Sequence, residues 1–485
     1  MSGAKKERDN EAKKHGATFA WSGFVVLALA VGIFAVLQSP QDAVIKRILT
    51  SNYTYKDVVV YGNGKSVGGI KLALEPQFAT SGEALAEYLS NFVAVDGVRL
   101  VGESSDKKIV ADRVYNGQGK LIESFQDIDQ GDRLYTVAPG LLFVWPFLGH
   151  RVHVNPVLSP TGRDIILESF SESPRVFHVY NFFTDAEADK LVDRILKIDG
   201  ENEHLQQSHV GHRSGGKVVS KHRTSENAFD QVSDTALAFR KRSFDLLRIP
   251  RYQDDMCDGL QLLRYQQKQA YIAHHDYFST QTSEDWNWNP KTGGSNRFAT
   301  VFLYLSNVTE GGQTVFPLAE MPEGFSHPPL TQDTSKLFEP FSWEQDMVDK
   351  CSTRLASYPQ KAHAILFYSQ KPNGELDPMS LHGGCPVLEG TKWAANLWVW
   401  NKRRYGLDEQ RSDTVKVVFE NPTNEDVDLF WSDKKMATIR AGAQQPYSSF
   451  HGHQWTIKDA TGKVLVQTVL DKAQGAKQTI AVKQV

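Results

Sequence analysis

Cysteine is nearly missing from this chain: only Cys257, Cys351 and Cys385 occur in 485 residues. That excludes a disulfide-dense scaffold. A surplus of one charge is missing as well. Lys and Arg number 54 against 57 Asp and Glu, a net charge of −3, so no general nucleic-acid binder is indicated. Long apolar runs are also scarce, with a single exception. Residues 17–38 carry no charge and are long enough to cross a bilayer as a helix.

That run has a directional flank. Lys5, Lys6, Arg8, Lys13 and Lys14 precede it, and only Lys46 and Arg47 follow closely. The bias leaves residues 1–16 as a cytosolic tail and sends the rest of the chain across the membrane, a single-pass type II signal anchor. A cleaved signal peptide is the rival reading. It is disfavoured because the run exceeds a typical signal core and no clear small-residue cleavage site follows. The expected location is the membrane of the endoplasmic reticulum or Golgi, with the bulk of the chain lumenal. No lumenal retention signal ends the chain at Val485 to choose between them. The sequons Asn52-Tyr-Thr54 and Asn307-Val-Thr309 fit a lumenal chain, although Asn307 is expected at a strand end of the core.

The length suggests about three domains at ~150 residues each. Residues 56–140 read as a small α+β unit. Asp57–Tyr61 and Ile70–Leu74 are strand-like around the hairpin signal Asn63-Gly64, and Glu83–Phe92 has the helical period. Strands resume at Ile109–Tyr115 and Ile128–Val137. Its opening Tyr-Gly-Asn-Gly and closing Asp-Gln-Gly-Asp-Arg-Leu-Tyr resemble a doublecortin-type, ubiquitin-like fold, which implies an interaction or spacer role. The apolar Leu141–Leu148 is too short to span a membrane and reads as a strand or packing edge, or less favourably as an interfacial membrane contact. Gly162–Pro174 reads as a linker. Val176–Phe183 then leads to a helix from Ala186, with Thr184 or Asp185 as N-cap.

The chemistry lies in the centre. His274-His275-Asp276 places a His and an Asp one residue apart, and on a strand such residues share a face. With the distant His382 they form the two-His-one-carboxylate set of a non-haem Fe(II) oxygenase. His275 is expected to point away. Around these residues stand Gln261-Leu-Leu-Arg-Tyr265, Arg297–Leu305, Glu310-Gly-Gly-Gln-Thr314-Val-Phe-Pro317, Leu366-Phe-Tyr, Ser380-Leu-His382-Gly-Gly-Cys385-Pro-Val and Gly390-Thr-Lys392-Trp. In that order and spacing, over residues 174–405, they resemble the 2-oxoglutarate-dependent prolyl 4-hydroxylase family.

The resemblance implies a jelly-roll (double-stranded β-helix) core with supporting helices. It implies iron on His274, Asp276 and His382, and Lys392 on the distal carboxylate of 2-oxoglutarate, aided by Tyr265, Trp398 and Thr314. Arg297 and Tyr271 match positions lining the peptide groove, Ser220–Ser225 matches a stretch before a second helix, and Glu284–Pro290 is expected to form a lid. O2 is the co-substrate and ascorbate the reductant. Plant-like members carry cysteines at Cys351 and Cys385, which implies a disulfide there and leaves Cys257 as a small buried side chain.

Residues 411–485 read as a short all-β module, a small β-sandwich. Its run Ser449-Phe-His-Gly-His453-Gln-Trp455 resembles the β domain of the von Hippel–Lindau tumour suppressor, which binds hydroxyproline. The resemblance implies Ser449, His453 and Trp455 as the pocket, with no evident aromatic near Met436 to complete it. The whole is an α+β multidomain chain, expected to be a membrane-anchored, procollagen-type prolyl 4-hydroxylase. Two alternatives stand beside that: the same oxygenase acting on lysine or a small molecule, and a hydroxyproline-peptide-binding protein with an incidental oxygenase domain. The expected partners are a proline-containing peptide and a membrane. The oligomeric state is left open.

Overall fold

The computed structural model describes residues 55–99, 104, 106–154, 159–200, 205–207, 224–280, 287–404, 414–475 and 477–482. The expected membrane span over 17–38, the sequon at Asn52, residues 220–223 and the start of the expected lid at Glu284 lie outside them. Among the described residues no helix is long and apolar enough to cross a membrane.

In the N-terminal unit, β1 (Lys56–Gly62) and β2 (Ile70–Leu74) pair antiparallel across a loop in which Gly64 takes a positive φ. Ser81 caps α1 (Gly82–Leu89) by accepting from the Ala84 N–H, one of the donors a helix start leaves free. With β3 (Arg113–Asn116) and β4 (Arg133–Val137) the sheet order is β2-β1-β4-β3, and β1 runs parallel to β4. Leu85, Ala86 and Leu89 of α1 bury against Val58, Val60, Val114 and Leu134. The strand expected from Ile109 begins only at Arg113, because the Ala111 N–H donates to Ser90 Oγ instead of a neighbouring strand.

No strand forms over 141–148 either. The Val144 N–H donates to Asn63 Oδ1 and the Trp145 N–H to the Tyr368 hydroxyl, so side chains replace a ladder. The segment is a wedge rather than a membrane contact: Phe143, Val144 and Trp145 are buried in a core shared with the oxygenase. The linker expected over 162–174 is also structured. It carries β6 (Ile165–Ser171), which pairs on one side with β5 (Arg151–Val154) and on the other with β7 (Val176–Tyr180).

A capping box opens α2 (Asp185–Gly200), since Glu187 N–H donates to Thr184 Oγ1 and Thr184 N–H to the Glu187 carboxylate. There follow β8 (Gln206–Gln207), β9 (Glu226–Asp230), α3 (Asp234–Leu246), β10 (Leu260–Tyr265), β11 (Tyr271–His274) and β12 (Arg297–Tyr304). Then come β13 (Glu310–Gly311), β14 (Thr314–Phe316), α4 (Trp343–Cys351), β15 (Leu355–Ser357), β16 (His363–Tyr368), β17 (His382–Gly384), β18 (Val387–Glu389) and β19 (Lys392–Trp400). The major sheet has the order β5-β6-β7-β16-β12-β19-β10-β9-β8, and a second sheet the order β11-β17-β14-β15.

One face of the major sheet packs Val301, Leu303, Leu397 and Val399 against Leu191 and Ile195 of α2 and Phe239 and Phe244 of α3. Its other face packs Leu263, Phe302, Ile365 and Phe367 against Phe316 and Leu355 of the second sheet. This is a jelly roll with helices against one side.

The C-terminal module has the strands β20 (Thr414–Glu420), β21 (Val427–Trp431), β22 (Lys434–Ile439), β23 (Gln444–Phe450), β24 (Gln454–Lys458), β25 (Val464–Val469) and β26 (Lys477–Ala481). They form the sheets β23-β20-β26 and β22-β21-β24-β25, which enclose Val415, Val417, Phe419, Leu429 and Ile457.

Candidate active site

Between the two sheets of the jelly roll, β11 pairs with β17 so that His274 stands directly opposite His382. Asp276 reaches the same point differently from the same-face argument. β11 ends at His274, and Asp276 turns inward from beyond the strand. The three side chains nonetheless converge, with one ligand atom from each within 4.8 Å of the others. Asp276 Oδ1 is 3.6 Å from His274 Nε2, and its Oδ2 is 3.5 Å from His382 Nε2. His275 stays outside the cluster, its Nε2 3.0 Å from the Pro378 carbonyl.

Both imidazoles are held in one tautomer by the backbone. His274 Nδ1 is 2.9 Å from the Ile272 carbonyl and His382 Nδ1 is 2.9 Å from the Ser380 carbonyl. A carbonyl only accepts, so each Nδ1 carries a proton and each Nε2 is the nitrogen turned toward Asp276. Burial pushes His382 down to about 4 despite the neighbouring carboxylate, which keeps it neutral and ready to bind a metal. Burial works against the charge on Asp276, yet the rings of His382 and His274 and the Arg297 guanidinium hold its carboxyl well below the usual range. Two imidazoles held by the backbone and a buried carboxylate on one face are the donor set of a non-haem Fe(II) site.

Lys392 opens β19 and is 1% exposed. Its ammonium lies 5.2 Å from the Tyr265 ring, 5.1 Å from Phe302 and 5.5 Å from Tyr304, and no carboxylate pairs with it among the described residues. Burial therefore pushes it down to about 7. A buried cation in an aromatic cage without a counter-ion is completed by an anionic ligand, and a dicarboxylate fits it. Thr314 is buried beside this cage and accepts from the Tyr304 hydroxyl at 2.8 Å.

Trp398 shares the inward face of β19 with Lys392 by the strand period, and its buried Nε1 has no hydrogen-bond partner among the described residues. Tyr271 stacks on the His274 ring at 3.7 Å. Arg297 differs from the expected groove residue. Its Nε is 3.1 Å from Asp258 Oδ2, it donates to the Asp276 carbonyl at 3.1 Å, and it lies 3.7 Å over the Trp398 ring. Its polar groups are engaged in holding the carboxylate loop.

Two residues escaped sequence reasoning. Thr300 Oγ1 donates to Asp276 Oδ2 at 2.6 Å, and Asp258 receives Arg297 together with Trp400 Nε1 at 3.1 Å. The signal for Thr300 was its place in the run Arg297–Leu305, where it alternates with Phe302 and Tyr304. Asp258 had no signal, because its role depends on a distant strand.

A disulfide joins Cys351 of α4 to Cys385 just beyond β17, tying the His382 strand to a helix. Cys257 is buried, and its sulfur accepts from Arg240 Nε at 3.4 Å. In the C-terminal module, Trp455 Nε1 donates to Ser449 Oγ at 3.0 Å, and that hydroxyl lies 3.1 Å from His453 Nδ1. Trp431, across the ladder from Trp455, brings its ring to 5.0 Å from His453. It supplies beside His453 the aromatic that the sequence around Met436 does not.

Residues 260–400 match the model of the 2OG-Fe(II) oxygenase superfamily. A probable prolyl 4-hydroxylase 8 of Arabidopsis thaliana is 34% identical over 237 residues, 48% of this chain and 70% of that protein. Prolyl 4-hydroxylase 2 of the same plant is 35% identical over 236 residues, 48% of this chain and 69% of that protein. A solved viral collagen prolyl hydroxylase from Paramecium Bursaria Chlorella virus-1 aligns at 20% identity with a TM-score of 0.30, covering 46% of this chain and 95% of that one.

Proposed function

Because the chain belongs to the prolyl 4-hydroxylase family of 2OG-Fe(II) oxygenases, we propose that it hydroxylates peptidyl proline with His274, Asp276 and His382 as iron ligands and Lys392 as the cosubstrate anchor. The observation that carries this is the pairing of a converged His/Asp/His set, held by backbone carbonyls, with a buried ammonium that has no counter-ion among the described residues. Fe(II), 2-oxoglutarate and O2 are the family's cofactor and cosubstrates, and ascorbate is typical of it.

When bound, iron and 2-oxoglutarate supply an oxidative decarboxylation: one oxygen atom of O2 goes into succinate with release of CO2, and the other becomes the hydroxyl on proline C4. The protein's share is placement. Thr300 and Arg297 fix the Asp276 carboxylate and its backbone, and the carbonyls of Ile272 and Ser380 fix the imidazoles. Lys392 neutralises one end of the cosubstrate, while the aromatic wall of Tyr265, Phe302 and Tyr304 excludes water.

The finer reading is a procollagen-type enzyme anchored by residues 17–38, its catalytic part in the lumen of the endoplasmic reticulum or Golgi. The charge-free run and its basic flank support the anchor. The Cys351–Cys385 disulfide supports an oxidising compartment, and Asn307 is exposed beyond the end of β12. For the C-terminal module, a von Hippel–Lindau-like hydroxyproline pocket is supported by the Ser449–His453–Trp455 hydrogen bonds and the Trp431 ring beside His453. A reader beside a writer would raise the effective concentration on repeated substrates. For the N-terminal unit, a helix over a sheet with a parallel central pair supports the doublecortin-like reading.

The test incubates the full chain in detergent with Fe(II), 2-oxoglutarate, ascorbate and a panel of proline-rich peptides, read by mass spectrometry, with His382→Ala as control. One added oxygen on proline, lost in the variant, is the expected result. Succinate release without peptide oxidation would move the assignment to another substrate. Silence in both would favour the binding-protein reading.

A further inference from the structure

Where the N-terminal unit meets the oxygenase there is a cavity of about 220 Å³, formed by the loop after β1, the β6–β7 turn and the hairpin that follows β16. At ~30 Å³ per water it holds about seven waters, and it is smaller than the ~300 Å³ of most small-molecule pockets. Its size suits one long side chain.

Six charged residues line it: Lys65, Asp96, Glu172, Arg175, Lys371 and Asp377. Half of them are already matched. Arg175 donates to the Gly64 carbonyl at 2.6 Å and the Trp145 carbonyl at 3.1 Å, and lies 3.9 Å from Glu172. Glu172 also accepts from Ser66 Oγ at 2.9 Å, and Lys371 lies 3.7 Å from Glu375. Among the described residues, the side chains of Lys65 and Asp96 have no such partner. With Asp377 that leaves two carboxyls against one ammonium.

Asp377 is the buried member, 7% exposed. Its Oδ1 accepts from the Met379 N–H at 3.1 Å to cap the turn Pro378–Ser380, and its Oδ2 has no hydrogen-bond partner among the described residues. Burial holds this carboxyl above its usual value, even though the Met379 N–H and the charges of Lys371 and Arg175 pull it down. The same turn leads into His382, and His275 beside the triad sits on the Pro378 carbonyl at 3.0 Å. The segment that carries Asp377 at the cavity therefore runs on to the strand of His382.

We propose that this cavity is a subsite for a basic side chain, Lys or Arg, of the peptide being hydroxylated, with Asp377 and Asp96 receiving the cation. The proposal rests on the peptidyl-proline reading above, and it gives the N-terminal unit a part in substrate choice.

The experiment measures direct binding of fluorescent proline-rich peptides to the full chain by anisotropy, and KM where turnover occurs. The peptides differ only in carrying Lys, Gln or Glu at each of six positions on either side of one proline. A wild-type preference for Lys over Gln of about fivefold or more, at one spacing, is expected. Asp377→Asn keeps the turn cap, because Asn caps as Asp does, and removes the charge. Asp96→Lys reverses an exposed charge without touching the core. Either variant should bring the Lys-to-Gln ratio toward one. Equal binding of Lys and Gln peptides at every spacing, or a preference that survives in both variants, overturns the subsite. Peptides that bind with this preference but gain no oxygen would overturn the hydroxylase reading alone.

Discussion

The Thr300 hydroxyl donates to the Asp276 carboxylate at 2.6 Å, at the one corner of the metal cluster that no histidine supplies. Thr300 stands on β12 and Asp276 in the loop beyond β11, so two separate elements must be in register for the bond to form. Groups behind a metal ligand are typically worth 10–100-fold in metal affinity. Thr300→Val should weaken Fe(II) binding by about that factor with an unchanged circular dichroism spectrum, whereas Thr300→Ser should stay near wild type. Equal affinity of Val and wild type in a metal titration would contradict this.

Lys392 makes cosubstrate binding pH-dependent. Burial pushes the free residue down to about 7. A bound carboxylate favours the charged form, so above that pH binding takes up a proton. The affinity for 2-oxoglutarate should be level below pH 7 and fall above it, by at most about tenfold per pH unit. Calorimetry in buffers of different ionisation enthalpy reads the proton directly, and a level profile to pH 9 counts against the assignment.

The same residue costs the free protein stability. Its folded value lies below the ordinary lysine value, so the cost is fully present below pH 7 and is relieved as pH rises toward ~10. Lys392→Met should therefore resist urea better than wild type at pH 6, with the gap narrowing by pH 9, while losing cosubstrate affinity. Urea melts at the two pH values check the sign.

Arg297 separates two roles by kinetics. If it holds the Asp276 loop, Arg297→Lys should lower iron affinity, because a lysine cannot reach Asp258 and the Asp276 carbonyl with the same planar fork. Peptide KM should then move less than about twofold. A large KM rise with normal iron loading would return Arg297 to the peptide groove.

The Cys351–Cys385 bridge closes a loop with a sequence separation of 34. The chain-entropy estimate for a loop of that length is about 4 kcal/mol. Cys351→Ser should lower unfolding stability by a few kcal/mol and weaken iron binding through the strand that carries His382. Both sulfurs are buried, so reductant should act on the folded wild type only slowly. A Cys351→Ser variant as stable as wild type in urea would contradict the estimate.

What the order of residues determined by itself was the chemistry. His274, Asp276 and His382 are legible because metal binding demands particular side chains, and Lys392 because its motif carries the family resemblance, although Asp276 reaches the site from beyond the strand and not by the alternation of faces. The cap at Thr184, the strands of the C-terminal module and the Cys351–Cys385 pair are legible for related local or motif-level reasons. Other features depend on contacts between distant segments, and only the tertiary structure decided them. Gly162–Pro174 reads as linker because its Gly, Ser and Pro residues mask the short apolar run Ile165-Ile-Leu, and β6 is fixed by its partners β5 and β7. Leu141–Leu148 looks like a strand, but Asn63 and Tyr368 take its backbone donors and turn it into an interdomain wedge. Arg297 looks like a groove residue until Asp258, brought near by the fold, claims its guanidinium. Local pattern specifies which groups a segment offers. Which of them remain free for a ligand is settled by long-range burial and hydrogen bonding, since a buried polar group binds whatever partner the folded chain puts beside it.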